Sequence, residues 1–188
     1  MIKAVVFDCF GVLAEDGWLP FKRRYIGNDT EVAEQVADLG KQNEHGYIST
    51  DEYFHKASEL IGVDQKLLRD AVGKRAPNEE LFEYIATHLK PRLKIGLLSN
   101  ANFDVKVEIF EPAQSRLFDA SVLSYESKII KPDPRSFELI ASRLGVAITD
   151  CLFIDDVERY CAVAEDLGMQ SIVYKNPNQV ISELNQFL

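Results

Sequence analysis

Three carboxylates, a hydroxyl and an ammonium fall at points of this chain where apolar runs stop. Asp8 follows AVVF, Ser99 and Asn100 close LKIGLLSN, and Asp155 and Asp156 close DCLFIDD, with Lys131 in the segment KIIKPDP between the last two. Carboxylates gathered at one edge repel one another unless a cation shares them. All-oxygen ligands with room for water favour a hard ion, and Mg²⁺ suits partial coordination. Asp8 with one of Asp155 and Asp156 could hold it. A carboxylate can also attack as a nucleophile, giving an ester or acyl phosphate. Ser99, Asn100 and Lys131 would then supply donors and positive charge to an anionic substrate group and to the charge developing in its transition state. Each residue alone has a plainer use. An acid after a strand often caps a turn, Asp156 can cap a helix opening at Val157, Ser-Asn is ordinary turn chemistry, and Asp133 can cap a helix. Capping does not account for all of them ending successive apolar runs.

The elements that must bring these residues together are legible as an alternation. KAVVFD is a short buried strand by length and β-branching, and GVLAEDG after it is a turn or small hairpin. From Trp18 to about Leu89 the spacing turns helical: TEVAEQVADLGKQNEHG, EYFHKASELIG behind a capping box at Ser49 and Glu52, DQKLLRDAVG, and EELFEYIATHLK behind Asn78. Beyond Pro91 strands and helices alternate. LKIGLLSN, FDASVLSYE, DCLFIDD and SIVYKN are expected strands; FDVKVEIFE, DPRSFELIASRLGV, VERYCAVAEDLGM and the tail QVISELNQFL are expected helices. That order predicts an α/β fold with a Rossmann-like parallel sheet covered by helices on both faces and an inserted α-helical unit. Residues 1–16 and 90–188 form the sheet core and residues 17–89 the insertion. In open sheets of this kind reactive groups collect beyond the carboxyl ends of the strands, where Asp8, Ser99, Asn100, Asp155 and Asp156 fall.

Composition narrows the partners. At 188 residues, 46% hydrophobic and 27% charged, the chain is expected to be globular, with one domain and a modest insertion. A net charge of −9 argues against a nucleic-acid-binding surface. No apolar run approaches the roughly 18 residues of a membrane span, and the N-terminus lacks a signal-peptide pattern. Cys9, Cys151 and Cys161 have no metal-ligand spacing and read as reduced thiols of a cytoplasmic protein, Cys9 as a packing residue. The run Lys22-Arg23-Arg24 is either a solvated face or a means of steering an anion, and Trp18 and Phe21 either pack inside the insertion or line a substrate mouth.

VVFDCFGVL, LLSN, KIIKPDP and LFIDDVERYCAVAEDLGM together resemble the four ordered motifs of the haloacid dehalogenase (HAD) superfamily, and the likeness runs over essentially the whole chain. The helical stretch resembles the cap inserted after the first strand in its IA-type members. That family is mostly Mg²⁺-dependent phosphatases, with some dehalogenases and phosphonate hydrolases. The resemblance implies Asp8 as nucleophile, Ser99 as a donor to the transferring group, Lys131 as the residue that orients Asp8, and Asp155, then Asp156, as metal ligands. It also implies Asp8 and the backbone carbonyl of Phe10 as metal ligands, and Phe10, Gly11 and Asn100 as residues lining the substrate group. Phe10 is a departure, because phosphatases of the family usually carry an aspartate there as general acid and base. The expected activity is therefore phosphohydrolase action on a small phosphorylated metabolite. It would tolerate the missing acid, worth about 10²- to 10⁴-fold, through an easy leaving group or a proton donor from the cap such as His45, Tyr47, Glu44 or His55. Two other readings stand beside it. A 2-haloacid dehalogenase also carries an aromatic at this position, but it uses no metal and lacks the Asp-Asp pair. A HAD-fold protein that binds a ligand or a protein without turnover is the other.

Overall fold

A computed structural model describes residues 1–73 and 75–187. Lys74 and Leu188, which fall in the expected helical insertion and tail helix, lie outside the described residues. Five strands, β1 (Ala4–Phe7), β2 (Lys94–Ser99), β3 (Ala120–Leu123), β4 (Cys151–Asp155) and β5 (Gln170–Val173), form one sheet in the order β3-β2-β1-β4-β5, every pair parallel. The helices in chain order are α1 (Trp18–Tyr25), α2 (Thr30–Glu44), α3 (Thr50–Ile61), α4 (Gln65–Val72), α5 (Glu79–Tyr84, continued by a π-helical turn to Leu89), α6 (Val105–Glu108), α7 (Pro112–Ser115), α8 (Ser124–Ser127), α9 (Pro134–Leu144), α10 (Glu158–Asp166) and α11 (Pro177–Leu184).

Strand alternation sends successive side chains to opposite layers. Val5, Phe7, Ile95, Leu97, Leu152 and Ile154 pack with α5 and α11, whereas Ala4, Val6, Leu98 and Phe153 pack with α9 and α10. Both faces are covered, which is why these strands read as continuous apolar runs. Phe7 lies opposite Leu97 in β2 and Ile154 in β4. The residues that follow those three strands therefore emerge side by side.

The helices α1 to α4 enclose their own cluster around Phe21, Tyr53, Phe54, Ala57 and Leu68. The first five residues of the 79–90 helix look no different in sequence, yet the apolar face of α5 and its π turn goes elsewhere. Leu81, Phe82, Ile85 and Leu89 are buried in the layer beneath β1 and β2. At about 1.5–3 kcal/mol each, those side chains contribute about 6–12 kcal/mol of gross burial to the sheet half. Helical periodicity locates an apolar face but not the core that receives it. This helix, counted with the insertion on sequence grounds, packs with the sheet, and the self-contained helical block is α1 to α4.

Two further elements are shorter than expected. FDVKVEIFE is helical only over α6. Pro112 disfavours helical backbone at the residue before it, Glu111 is extended at ψ 151°, and a second one-turn helix starts at Pro112. FDASVLSYE is a strand only to Leu123, after which Ser124–Ser127 turn as α8 and Lys128 takes a positive φ of 58°. GVLAEDG forms a closed turn rather than a hairpin: the amides of Leu13 and Ala14 both bond the Cys9 carbonyl.

Candidate active site at the strand ends

Asp8 begins where β1 stops, its amide bonded to the Ile154 carbonyl at 2.9 Å. Its carboxylate meets the Lys131 ammonium at 2.8 Å, and the same ammonium reaches Asp155 Oδ2 at 2.5 Å. All three groups are buried. Asp155 Oδ1 in turn accepts from the Val157 amide at 2.8 Å, opening α10. Both oxygens of Asp155 are thus engaged by protein donors. The N-cap of α10 is Val157 and takes no side-chain capping bond, so Asp156 does not cap this helix as its position suggested.

Lys131 comes from a loop, and Asn100 holds that loop in place. Asn100 Oδ1 accepts from the Lys131 amide at 2.7 Å, and its Nδ2 donates to the Lys131 carbonyl at 3.0 Å. The side chain expected to line the substrate group is therefore spent on positioning the lysine. Ser124 does similar work one strand over, bonding both the amide and the carbonyl of Ala101 at 3.0 and 2.9 Å. Ser99, by contrast, is buried with its Oγ unbonded among the described residues. An unpartnered buried hydroxyl is costly, so this donor stands ready for a group that enters from outside.

Gly11 has a φ of +86°, and a Cβ there would lie 2.5 Å from Asp156 Oδ2. Glycine is required at this position on both counts: left-handed backbone, and room for the Asp156 carboxylate. Its amide donates to the Ala14 carbonyl at 2.8 Å and so is not free for a substrate. The hydrogen bonds of this turn use the carbonyls of Cys9 and Ala14 and leave that of Phe10 unengaged. The Phe10 ring has aromatic and cationic neighbours. It packs edge-on to Phe103 at 6.3 Å, with the Arg75 guanidinium 5.5 Å from its centre and 4.6 Å from that of Phe103.

Electrostatics follow from this crowding. Burial pushes the Asp8 carboxyl up to about 7; Lys131 opposes the shift and the Asp155 charge adds to it. Asp156 rises to about 6, again chiefly through burial, then through Asp155 and Asp16. Burial works against the Lys131 charge, but Asp8 and Asp155 outweigh it and hold the ammonium above the ordinary lysine range. Oxygens of Asp8, Asp155 and Asp156 all lie within 4.8 Å of one another. Asp8 and Asp156, each with an oxygen left free, an unengaged Phe10 carbonyl beside them and a glycine that clears Asp156 make a donor set that fits a divalent cation, while Asp155 is already taken up by Lys131 and the Val157 amide.

The site residues read from the sequence are thus gathered at one edge of the sheet. Sequence reasoning missed Asn102, whose Nδ2 donates to Asn43 Oδ1 at 2.7 Å and Thr50 Oγ1 at 2.8 Å and so ties the helical block to the loop after β2. It also missed Arg75 and Ser124. Only the Ser-Asn-Ala-Asn run pointed to that loop. The cysteines are free, as their spacing suggested, and all three are buried, Cys9 as expected of a packing residue. A cavity of about 810 Å³ lies beside this edge, between Gly11, Asp16, Arg24, Leu67, Pro77 and Tyr174. No helix among the described residues is long and apolar enough to cross a membrane.

A family model for haloacid dehalogenase-like hydrolases matches residues 2–168. Of the curated proteins, Acyl-CoA dehydrogenase family member 10 of Mus musculus is 35% identical over 99% of this chain, which spans only 19% of that protein's length. Phosphatase MT3486 of Mycobacterium tuberculosis is 29% identical, with 95% of this chain and 89% of that protein covered. Among solved structures, the HAD family enzyme bt-2542 of Bacteroides thetaiotaomicron, in complex with magnesium and inorganic phosphate, is 29% identical. It superposes with a TM-score of 0.69 over 93% of this chain and 95% of that one. An L-2-haloacid dehalogenase from Xanthobacter autotrophicus shares the fold at 22% identity and a TM-score of 0.66, with 99% of this chain and 83% of that one covered.

Proposed function

The chain belongs to the haloacid dehalogenase-like hydrolase family, and from that premise we propose that it is a Mg²⁺-dependent phosphohydrolase that cleaves a small phosphorylated metabolite through a phospho-aspartate at Asp8. The observation that carries this reading is the pairing of a lysine-held carboxylate, Asp8, with a buried, unpartnered Ser99 hydroxyl. A relative named as a phosphatase and a neighbour crystallised with magnesium and phosphate support it. The Asp-Asp pair, with one acid left unengaged, favours it over a metal-free dehalogenase.

Each residue has one task. Lys131 orients Asp8 for attack on phosphorus and opposes the pull of burial on its charge. Ser99 donates to a phosphoryl oxygen, where charge gathers as the bond to the leaving group lengthens. Asn100 and Asp155 hold Lys131 from its backbone and its ammonium. Asp8, Asp156 and the Phe10 carbonyl would hold the cation. Asp155, the ligand preferred on sequence grounds, instead belongs to the lysine because both of its oxygens are engaged. When bound, Mg²⁺ would neutralise the crowded acids and polarise the phosphoryl oxygens. Phe10 has no proton to give, so proton transfer must come from elsewhere.

A panel of phosphorylated metabolites assayed with Mg²⁺ tests the reading. Hydrolysis should appear with Mg²⁺, disappear with chelator and be absent in Asp8→Asn. Turnover that survives Asp8→Asn removes Asp8 as nucleophile, and chloride release from 2-chloropropionate without metal would establish the dehalogenase reading instead.

A further inference from the structure

The helical block carries several groups able to move a proton, and the structure sorts them. His55 lies on α3, its side chain 63% exposed and its ring 3.6 Å from Glu59. Tyr47 is 77% exposed, and His45 stacks flat against it at 5.3 Å. Glu44, the last residue of α2, is half-buried, and its carboxyl has no hydrogen bond or ion pair among the described residues.

Its position follows from its neighbours. Asn43 on one side and Thr50 on the other are both bonded to Asn102 in the loop after β2. Two residues along, a Cβ on Gly46 would sit 3.5 Å from Lys128 Nζ, in the loop that runs on to Lys131. The stretch holding Glu44 is thus laid against the two loops that carry Ser99 and Lys131. Burial raises the Glu44 carboxyl above the ordinary carboxylate range. The charges that oppose this are, in order, Lys131 of the site, Lys22 on α1, Lys41 on its own helix and Arg159 on α10. Tyr53 on α3 also feels the Glu44 charge.

We propose that Glu44 is the proton-transfer residue of this site, supplied by the helical block in place of the acid missing at position 10. The proposal rests on the phosphohydrolase reading. In the first step an Asp8 oxygen bonds to phosphorus, the phosphorus–oxygen bond to the leaving group breaks, and the Glu44 carboxyl passes its proton to the departing oxygen. In the second, water attacks phospho-Asp8 and gives a proton to the Glu44 carboxylate. Inorganic phosphate leaves, and both acids return to their starting states. Alkyl esters, whose leaving oxygen is strongly basic, depend on this proton far more than aryl esters do.

Single-turnover cleavage of β-glycerophosphate and p-nitrophenyl phosphate, with Mg²⁺, by the wild type, Asp8→Asn, Glu44→Gln and Glu44→Asp tests it, each variant checked by thermal melting. Glu44→Gln should slow the alkyl ester about 10²-fold or more and the aryl ester less than about 10-fold. Glu44→Asp should recover part of the alkyl rate, and the pH profile of the alkyl reaction should lose its alkaline limb in Glu44→Gln. If Asp8→Asn is inactive while Glu44→Gln slows both esters equally, or neither, the Glu44 proposal is overturned and the phosphohydrolase reading survives. If the wild type cleaves neither ester and matches Asp8→Asn, both fall.

Discussion

The two regions of this molecule hold their polar groups in opposite ways. At the strand ends every acid but one is fixed: Lys131 spans Asp8 and Asp155, Asn100 grips the lysine's backbone, and Asp155 closes on α10. The helical block meets that edge through a few polar contacts, and its apolar cluster shares no residue with either layer of the sheet. The fixed half presents charge with the reorganisation already done, which is the condition for electrostatic stabilisation of a transition state. The loosely held half can part and re-seat at little cost, as admitting and releasing a substrate requires.

Removing the lysine should separate the halves most. Lys131→Met leaves Asp8 and Asp155 buried without their counter-ion. Unfolding by urea at neutral pH should show a loss of about 3–5 kcal/mol, with phosphoester hydrolysis abolished. A fully stable variant would mean that the strand-end network contributes nothing to holding the sheet edge.

Next in size is Phe10→Asp. Position 10 looks like a missing acid, but its ring packs against Phe103 and Arg75, the latter in the irregular segment that leads out of the block. The change should cost about 1–3 kcal/mol and leave alkyl-phosphatase activity no higher. A gain in alkyl turnover would show that the ring has no part in joining the regions.

A third effect is set by pH. Asp8 and Asp156 have folded pKa values raised to about 7 and about 6 from 3.8. A carboxyl whose folded pKa is raised favours the fold fully below its unfolded value and loses that contribution as pH rises through the folded one. Without metal, stability should therefore fall between about pH 4 and pH 7, and Mg²⁺ should raise the melting temperature more at pH 7.5 than at pH 5. Equal Mg²⁺ shifts at both pH values would place the cation away from these acids.

The smallest effect belongs to the contact between the regions. Asn102→Ala deletes two hydrogen bonds and should cost no more than about 1 kcal/mol. Its mark should be on kcat/KM, lowered several-fold while the melting temperature barely moves. A large fall in melting temperature would mean that the halves are welded rather than hinged.

What the sequence disclosed tracks how local each determinant is. The caps at Ser49, Asn78 and Asp133 and the left-handed stop at Gly62 are decided within a turn of chain, and each is present where the residue types put it. The strand ends bearing Asp8, Ser99 and Asp155 were visible because a sheet buried on both faces writes itself as an apolar run. The layer that receives α5 was not, since an amphipathic helix looks the same whichever core it meets. Nor were the unequal roles of Asp155 and Asp156: adjacent and chemically identical, they differ only because Lys131 arrives from a distant loop and takes one of them. Glu44 was legible only as one of four cap residues able to give a proton; what sets it apart from His45, Tyr47 and His55 is made by Asn102 and by loops far along the chain.

The order β3-β2-β1-β4-β5 puts the first strand made at the centre of the sheet. Its partner on one side starts at Lys94 and on the other at Cys151. Growing from the N-terminus, β1 must wait through the whole helical block with both edges bare, and Asp8 gains the strand that brings Asp155 only when most of the chain exists. Pairings that span so much sequence are slow to close and leave sticky edges exposed meanwhile. The block, whose contacts are local, can condense while β1 is still waiting.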